Sequence, residues 1–349
     1  MTVSVHHPRL GAAAKQWLVW LADPATNAPA PEPTIALSEL SALLLAAELH
    51  GVLPLCLAGL RRPGAAHCGA SGASTSERET MLAAAGLRAA ELLGFQMRLQ
   101  HFGGKAEQSL EDQGIPFIPV KGRTFAERLY AHPTLRPYTD IDLLIPLTAR
   151  DAVGTVLQAH GFALHTMEYR GTKDYFEDKW LHDSNPDVMI EVHCDLVHNP
   201  KLRAAFSLTY ADVLAAGDGD GADATALLLV ACAHGAASHQ FDRLQHVLDV
   251  TQCARGAAGA IDVGRLRRVA GRCGLTLACA GALSLAGRMF REPHCLELAR
   301  QLVPGALDRA ASGLLTPGLV LDARSDDRSA ASWRRKLFRQ ALRLAARRR

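Results

Sequence analysis

Two aspartates, Asp140 and Asp142, stand two apart in the apolar run Thr139-Asp-Ile-Asp-Leu-Leu-Ile145. A strand sends alternate residues to opposite faces. Both carboxylates then leave by one face, while Ile141, Leu143 and Ile145 enter a core by the other. Carboxylates held side by side repel and are costly to bury. A divalent cation removes that cost, and hard oxygen ligands suit Mg²⁺ or Mn²⁺. The chemistry served by such a pair is phosphoryl or nucleotidyl transfer, where metal ions bridge phosphates and stabilise the developing charge. Two ions about 4 Å apart generally want three carboxylates. Glu191, in the alternating run Val188-Met-Ile-Glu-Val-His193, can supply the third from a neighbouring strand. The bland alternative for Asp140 and Asp142 is a solvated strand end or a helix-capping pair.

Other residues fit around this trio. Lys121-Gly122 precedes a short helical segment, where glycine permits close backbone approach to a phosphate and the free N–H groups point at it. Lys121, one of only seven lysines among 38 basic residues, would add a point charge. Arg136 either touches phosphate, pairs with the site carboxylates or forms a plain salt bridge. His193 shares the expected face of Glu191, as a supporting partner, a general base or an ordinary half-buried histidine. His234 and His239 lie on an apolar helix at a spacing of five, which places them on different faces and argues against a metal pair. His234 faces the cleft or is satisfied in the core, with the core favoured. Asp249 reads as a structural partner, with Arg243 as its candidate.

Positioning these groups requires a small α/β unit. Ile115–Val120 carries two prolines and reads as an edge or irregular strand. Arg123–Tyr130 reads as a short helix, Thr139–Ile145 as a strand, Ala149–His160 as a helix closed by Gly161, and Phe162–Tyr169 and Asp187–Leu196 as strands. The order predicts a mixed sheet within residues 113–200. Residues 36–112 read as an N-terminal helical region. Its long pattern runs from Ser76 to Glu111, with a break expected at Gly103-Gly104. Residues 201–330 read as a C-terminal helical region. Residues 1–35 carry one apolar patch at Trp17–Leu21 and then four prolines, and read as a loosely ordered lead-in. Residues 331–349 form a basic tail.

The bulk numbers exclude several classes. The chain has 349 residues, 48% hydrophobic and 21% charged, which suits a sizeable core rather than disorder. The N-terminus lacks a basic stretch leading into an apolar segment, so a signal peptide is not expected. Apolar runs are too short or too rich in Gly and Ala for a membrane span, and a cytoplasmic location is the expectation. Eight cysteines without a C-x-x-C pair read as reduced, partly buried thiols. The net charge of +3 is uneven: Trp333–Arg349 carries eight basic and no acidic residues, which leaves the rest at −5. The tail reads as a solvated end or as an amphipathic helix, with Leu337, Phe338, Ala341, Leu344 and Ala345 on one side, for a partner, anionic lipid or nucleic acid. The acidic body and the few aromatic residues argue against nucleic-acid work.

In order along the chain, Lys121-Gly122, Arg136-Pro-Tyr-Thr-Asp140-Ile-Asp142-Leu-Leu, Glu191-Val-His193, and the helix with His234 and His239 followed by Arg243-Leu244 and Asp249 resemble the bacterial family of uncharacterised nucleotidyltransferases within the DNA polymerase β-like superfamily. The resemblance covers most of residues 36–290. It implies an α+β fold with a small mixed-sheet, polymerase β-like core between helical regions. It implies a metal-dependent enzyme that moves an NMP group from an NTP such as ATP to an acceptor. Asp140, Asp142 and Glu191 would hold two Mg²⁺ or Mn²⁺ ions, and Lys121, Gly122 and Arg136 would bind the nucleotide. The acceptor would be a small molecule, peptide or glycan. The alternatives are a non-catalytic nucleotide- or partner-binding protein that keeps the fold, and an RNA-modifying nucleotidyltransferase. Two departures are visible. The superfamily usually has Gly-Ser where this chain has Lys121-Gly122, and its third acidic residue is more often Asp than Glu.

Overall fold

The structure, a computed structural model, describes residues 9–71, 74–165, 177–197, 200–219, 223–303, 305–322 and 332–346. Helices α1 (Ala12–Ala22), α2 (Leu37–Leu49), α3 (Leu53–Gly59) and α4 (Thr75–Asp112) come first, with a two-stranded parallel ribbon of β1 (Ile35–Ala36) and β2 (Cys68–Ser71). Ser74 starts α4: its side chain accepts from the Glu77 N–H, and the Glu77 carboxylate accepts from the Ser74 N–H. This reciprocal cap satisfies two orphan donors. The break expected at Gly103-Gly104 does not occur, and α4 runs through both glycines. Gly103 has a packing reason instead. A Cβ there would overlap Cδ1 of Ile141, so the missing side chain lets the helix lie directly on the strand that bears the aspartates.

The central sheet contains β3 (Ile118–Val120), β4 (Ile141–Leu144), β5 (Phe162–His165), β6 (Glu177–His182) and β7 (Asn185–His193) in the order β3-β4-β7-β6-β5. Strands β4 and β7 are parallel, and the other neighbours are antiparallel. The edge strand expected over the two prolines is β3. Residues 166–169 of the expected strand Phe162–Tyr169 lie outside the described residues, and its first part is β5. Strand β6 was not expected from sequence. Helices α5 (Gly122–Leu129) and α6 (Arg150–Ala159) connect the first strands.

The C-terminal part is helical: α7 (Pro200–Arg203), α8 (Tyr210–Ala216), α9 (Ala224–Ala233), α10 (Leu244–Ala254), α11 (Val263–Cys273), α12 (Thr276–Met289), α13 (Pro293–Leu302), α14 (Ala306–Ser312), α15 (Pro317–Leu321) and α16 (Trp333–Ala346). Two apolar cores flank the sheet. One packs Ile141, Leu143, Ile190 and Val192 of β4 and β7 against Leu99, Ala106 and Leu110 of α4 and Val153 and Leu157 of α6. The other joins α1–α3, the start of the α/β unit and the C-terminal helices. Alternation along β4 and β7 explains the division, because odd-numbered residues of β4 and even-numbered residues of β7 share the α4 side.

The lead-in differs from the loosely ordered expectation. Trp17, Leu18 and Leu21 of α1 are fully buried in the larger core. The tail takes the helical one of its two readings, as α16, and docks on the chain's own core. Phe338 and Leu342 of α16 are buried in the same core, whereas Leu337 and Leu344 are exposed. Arg335 donates to the carbonyls of Leu319, Gln240 and Phe241 at 2.7–3.3 Å. All eight cysteines are buried free thiols. Among the described residues, no helix is long and apolar enough to cross a membrane.

Candidate active site

The sheet builds the site by register. Asp142 on β4 lies beside Glu191 on β7, and Glu191 lies beside Lys179 on β6. Two residues further along β7, His193 lies beside Glu177. Partners in register project to the same side, so Asp142, Glu191, His193, Lys179 and Glu177 share the face turned away from α4. Asp140 precedes β4 and is half-buried. Ligand atoms of Asp142, Glu191 and His193 lie within 4.8 Å of one another. Asp140 is not in that tightest group. Of the three carboxylates expected from sequence, the structure brings Asp142 and Glu191 together, and Asp140 stands two residues before Asp142, at the entry to β4.

Ion pairs knit the cluster together. Lys121 Nζ lies 2.6 Å from Asp142 Oδ1. Lys179 pairs with Glu191 and lies 3.2 Å from Glu177. His193 Nε2 donates to Asp142 Oδ1 at 2.8 Å, the carboxylate being an acceptor only. Four carboxylates against two ammonium groups leave two formal negative charges. The titration shifts follow. Burial first, then the charges of Asp142 and Glu191, push Asp140 up to about 7. Burial works against the Asp142 anion, but Lys121 and the His193 hydrogen bond outweigh it and hold Asp142 down to about 2. Burial likewise opposes the Lys121 ammonium, and the surrounding carboxylates more than compensate, raising its pKa.

Lys121 is held in a strained backbone, at φ 56° and ψ −137°. A non-glycine residue there costs about 1–3 kcal/mol and persists where its surroundings over-determine it. Gly122, also at positive φ, opens α5, and a Cβ on it would lie 3.2 Å from the Asp140 carbonyl. Arg136 lines the cleft and forms the plain salt bridge that is one of its three readings. Its Nε and Nη2 donate to the two oxygens of Asp249, each at 2.8 Å, and Nη1 donates to the Gly122 carbonyl at 3.0 Å. Arg136 thus pins the Lys121-Gly122 turn to α10. The partner of Asp249 is Arg136, not Arg243, with Tyr130 donating to the same carboxylate at 2.8 Å.

A cleft of about 410 Å³ opens between this face and the helices, a size suited to a small-molecule ligand. Its walls include Lys121, Gly122, Asp140, Asp142, Glu177, Lys179 and Glu191 on the sheet side. Opposite are His234, Ser238, His239, Arg243, Gln245 and His246. His234 thus faces the cleft, the less favoured of its two readings. Helix α9 continues into a π-helical turn, His234–His239, so residues five apart come together. The His234 and His239 ring centroids are 4.6 Å apart, against the expectation that a spacing of five separates them. Burial first, and then His239, push the pKa of His246 down to about 4.

Sequence reasoning did not find Glu177, Lys179 or His246. The first two carried a usable signal: they alternate as Asp140 and Asp142 do, and period-two spacing of charges on a strand puts both on one face. His246 stands only seven residues after His239, but the turn through Gln240–Arg243 that folds α10 back beside the π-turn is not encoded in that spacing.

Residues 38–291 match the model of a family described as uncharacterised nucleotidyltransferase. The chain belongs to this family. That membership makes it a nucleotidyltransferase-family protein, with a nucleoside triphosphate as the implied substrate. Comparison with curated proteins and with solved structures found no match. The matched span takes in α2–α12 and so contains every residue of the cluster and of the facing wall.

Proposed function

We propose that this nucleotidyltransferase moves an NMP group from an NTP to an acceptor by divalent-cation catalysis, on a polymerase β-like core. The acceptor would be a small molecule, peptide or glycan. The observation that carries the reading is the convergence of Asp142, Glu191 and His193 within 4.8 Å, with Asp140 beside them, in the wall of a 410 Å³ cleft. The donor set fits a hard cation. Its oxygens are carboxylate oxygens, and the cluster keeps two formal negative charges after its lysines are counted. Asp140, Asp142 and Glu191 would hold the cation. When bound, Mg²⁺ or Mn²⁺ supplies neutralisation of the triphosphate and of the charge that develops at phosphorus.

The chain's own residues do the rest. His193 orients Asp142 through its Nε2–H. Lys121 and Lys179 neutralise Asp142 and Glu191 in the cation-free protein, and their ammonium groups become available to the triphosphate once the carboxylates bind a cation. Arg136 holds the Gly122 carbonyl, and with it the turn that approaches the phosphates. The helical wall selects the acceptor, whose hydroxyl, phosphate or carboxylate oxygen attacks the α-phosphorus as pyrophosphate leaves.

The test is pyrophosphate release. Purified protein is incubated with Mg²⁺, each α-labelled NTP and a panel of acceptors. Loss of release in the Asp140→Ala/Asp142→Ala variant supports the assignment, and equal release from variant and wild type overturns it. The Lys121–Asp142 and Lys179–Glu191 pairs favour one second reading, a non-catalytic nucleotide-binding protein, because they satisfy the carboxylates without a cation. Tight calorimetric binding of NTP and Mg²⁺ with no turnover over the whole panel would select it.

A further inference from the structure

The wall opposite the carboxylates holds a cluster of different chemistry. His234 and His239 come from the two ends of the π-helical turn, and His246 from the first turn of α10. Their ring centroids form a triangle with sides of 4.6, 5.1 and 4.5 Å. One ring nitrogen of each lies within 4.8 Å of the other two. Three nitrogens around one Zn²⁺ at about 2.0–2.1 Å stand roughly 3.4 Å apart, within reach of small ring rotations.

The backbone is arranged to make this cluster. In a regular α-helix residues five apart are about 140° apart around the axis. The π-turn reduces that offset enough for the two rings to meet, and such turns are rare and frequent at functional sites. The turn then ends in two left-handed residues, Gln240 (φ 50°) and Phe241 (φ 53°), whose carbonyls accept from Arg335 of α16. A Cβ on Gly235 would overlap the ring of Phe241, so the glycine admits the phenylalanine that closes the turn.

A second observation points to a ligand. His246 is buried, and its Nδ1 faces Asp242 Oδ1 at 3.4 Å. Asp242 Oδ1 is also 3.7 Å from His239 Nδ1. A carboxylate behind the Nδ1 atoms of two imidazoles is the usual outer support of metal-binding histidines, leaving Nε2 for the metal.

We propose that His234, His239 and His246 form a second metal site, for a borderline transition cation of the Zn²⁺ class, with Asp242 as its outer support. Three imidazoles suit such a cation and not Mg²⁺, whereas the carboxylates across the cleft have the opposite preference. Three protein ligands leave a coordination position for a donor atom in the cleft, the arrangement of catalytic rather than structural zinc. The site stands independently of nucleotidyl transfer.

The test uses the full-length chain, free of any histidine tag, stripped with chelator and titrated with Co²⁺ and then Zn²⁺. One equivalent of Co²⁺ should bind with a visible absorption band, and one equivalent of Zn²⁺ should abolish the band. His239→Gln alters a half-exposed side chain, so its fold, checked by circular dichroism, should persist. It should weaken binding by more than the roughly 10–100-fold expected for Asp242→Asn, an outer-shell loss. With excess Mg²⁺ present to occupy the carboxylates, Asp142→Asn should show the same Co²⁺ absorption band and affinity as wild type. Absence of stoichiometric binding overturns the proposal. So does unchanged affinity in His239→Gln and His246→Gln, or loss in Asp142→Asn with the histidine variants unaffected. Pyrophosphate release plays no part in this readout, so failure here and failure of the transferase reading are separable.

Discussion

Removing the Asp249 carboxylate tests the way this cleft is held together. Asp249 is 1% exposed and Arg136 4%. Two charged hydrogen bonds at 2.8 Å join them, Tyr130 adds a third, and Arg136 passes a fourth to the Gly122 carbonyl. Asp249→Ala leaves a guanidinium buried without its counter-charge, which costs about 3–5 kcal/mol. The Tyr130 hydroxyl loses its acceptor as well, but the two losses share one network and do not add. Against a typical stability of about 5–15 kcal/mol, this is a large fraction. Replacing both partners by apolar groups of similar volume, Arg136→Met with Asp249→Leu, removes the unpaired charge. It should recover most of the loss, less about 1 kcal/mol for the Gly122 carbonyl. Urea unfolding at fixed pH, read as a midpoint shift at constant slope, measures both. A single variant within about 1 kcal/mol of wild type would refute the reasoning. A double variant as unstable as the single would do so too.

The other predictions concern the site's charge and the helices behind it. With Asp140 raised to about 7, the folded chain keeps a proton that the unfolded chain loses near pH 4, so this group's stabilisation is full below about 4 and is lost as pH rises through about 7. In chelator, Asp140→Asn should gain on wild type by about 1–2 kcal/mol between those pH values after solvent screening. Comparing the variants cancels the opposite trend from His246, whose lowered pKa adds stability as pH rises. A constant gap would count against the charge assignment. Gly103→Ala should cost about 1–3 kcal/mol by driving Ile141 from its place. Gly104→Ala, with open space around it, should gain up to about 1 kcal/mol; equal effects in thermal melts would contradict the packing role of Gly103. Phe338→Ala should cost about 3–5 kcal/mol, and Leu344→Ala, on the exposed side of α16, less than about 0.5. Similar losses would mean that the tail helix is not docked through Phe338.

Much of the sheet side of the cleft was readable because period-two alternation is a local property. Asp140-Ile-Asp142-Leu and Glu191-Val-His193 announce which residues leave the core and which enter it, and β4 and β7 obey. Strand β6 was missed for a physical reason. Glu177 and Lys179 point into the cleft, so the strand bears charges where an ordinary half-buried strand bears apolar groups. What lay out of reach is what depends on distant partners. Arg136 and Asp249 are 113 residues apart, and nothing in either neighbourhood names the other. Gly103 reads locally as a helix breaker, and only the approach of Ile141 shows why a glycine belongs there.

The histidine wall carries this furthest. A spacing of five is a mismatch for an α-helix and a match for a π-turn, and the turn is fixed by groups beyond the helix itself. Phe241 fills the space above Gly235, and Arg335, nearly a hundred residues on, accepts the task of capping the left-handed carbonyls. The basic tail, which in sequence suggests an appended arm, is in part a brace for the wall facing the carboxylates. Loosening α16 should therefore disturb the three imidazoles before it disturbs Asp142 and Glu191, because the latter sit on a sheet whose register and α4-side packing do not involve the tail.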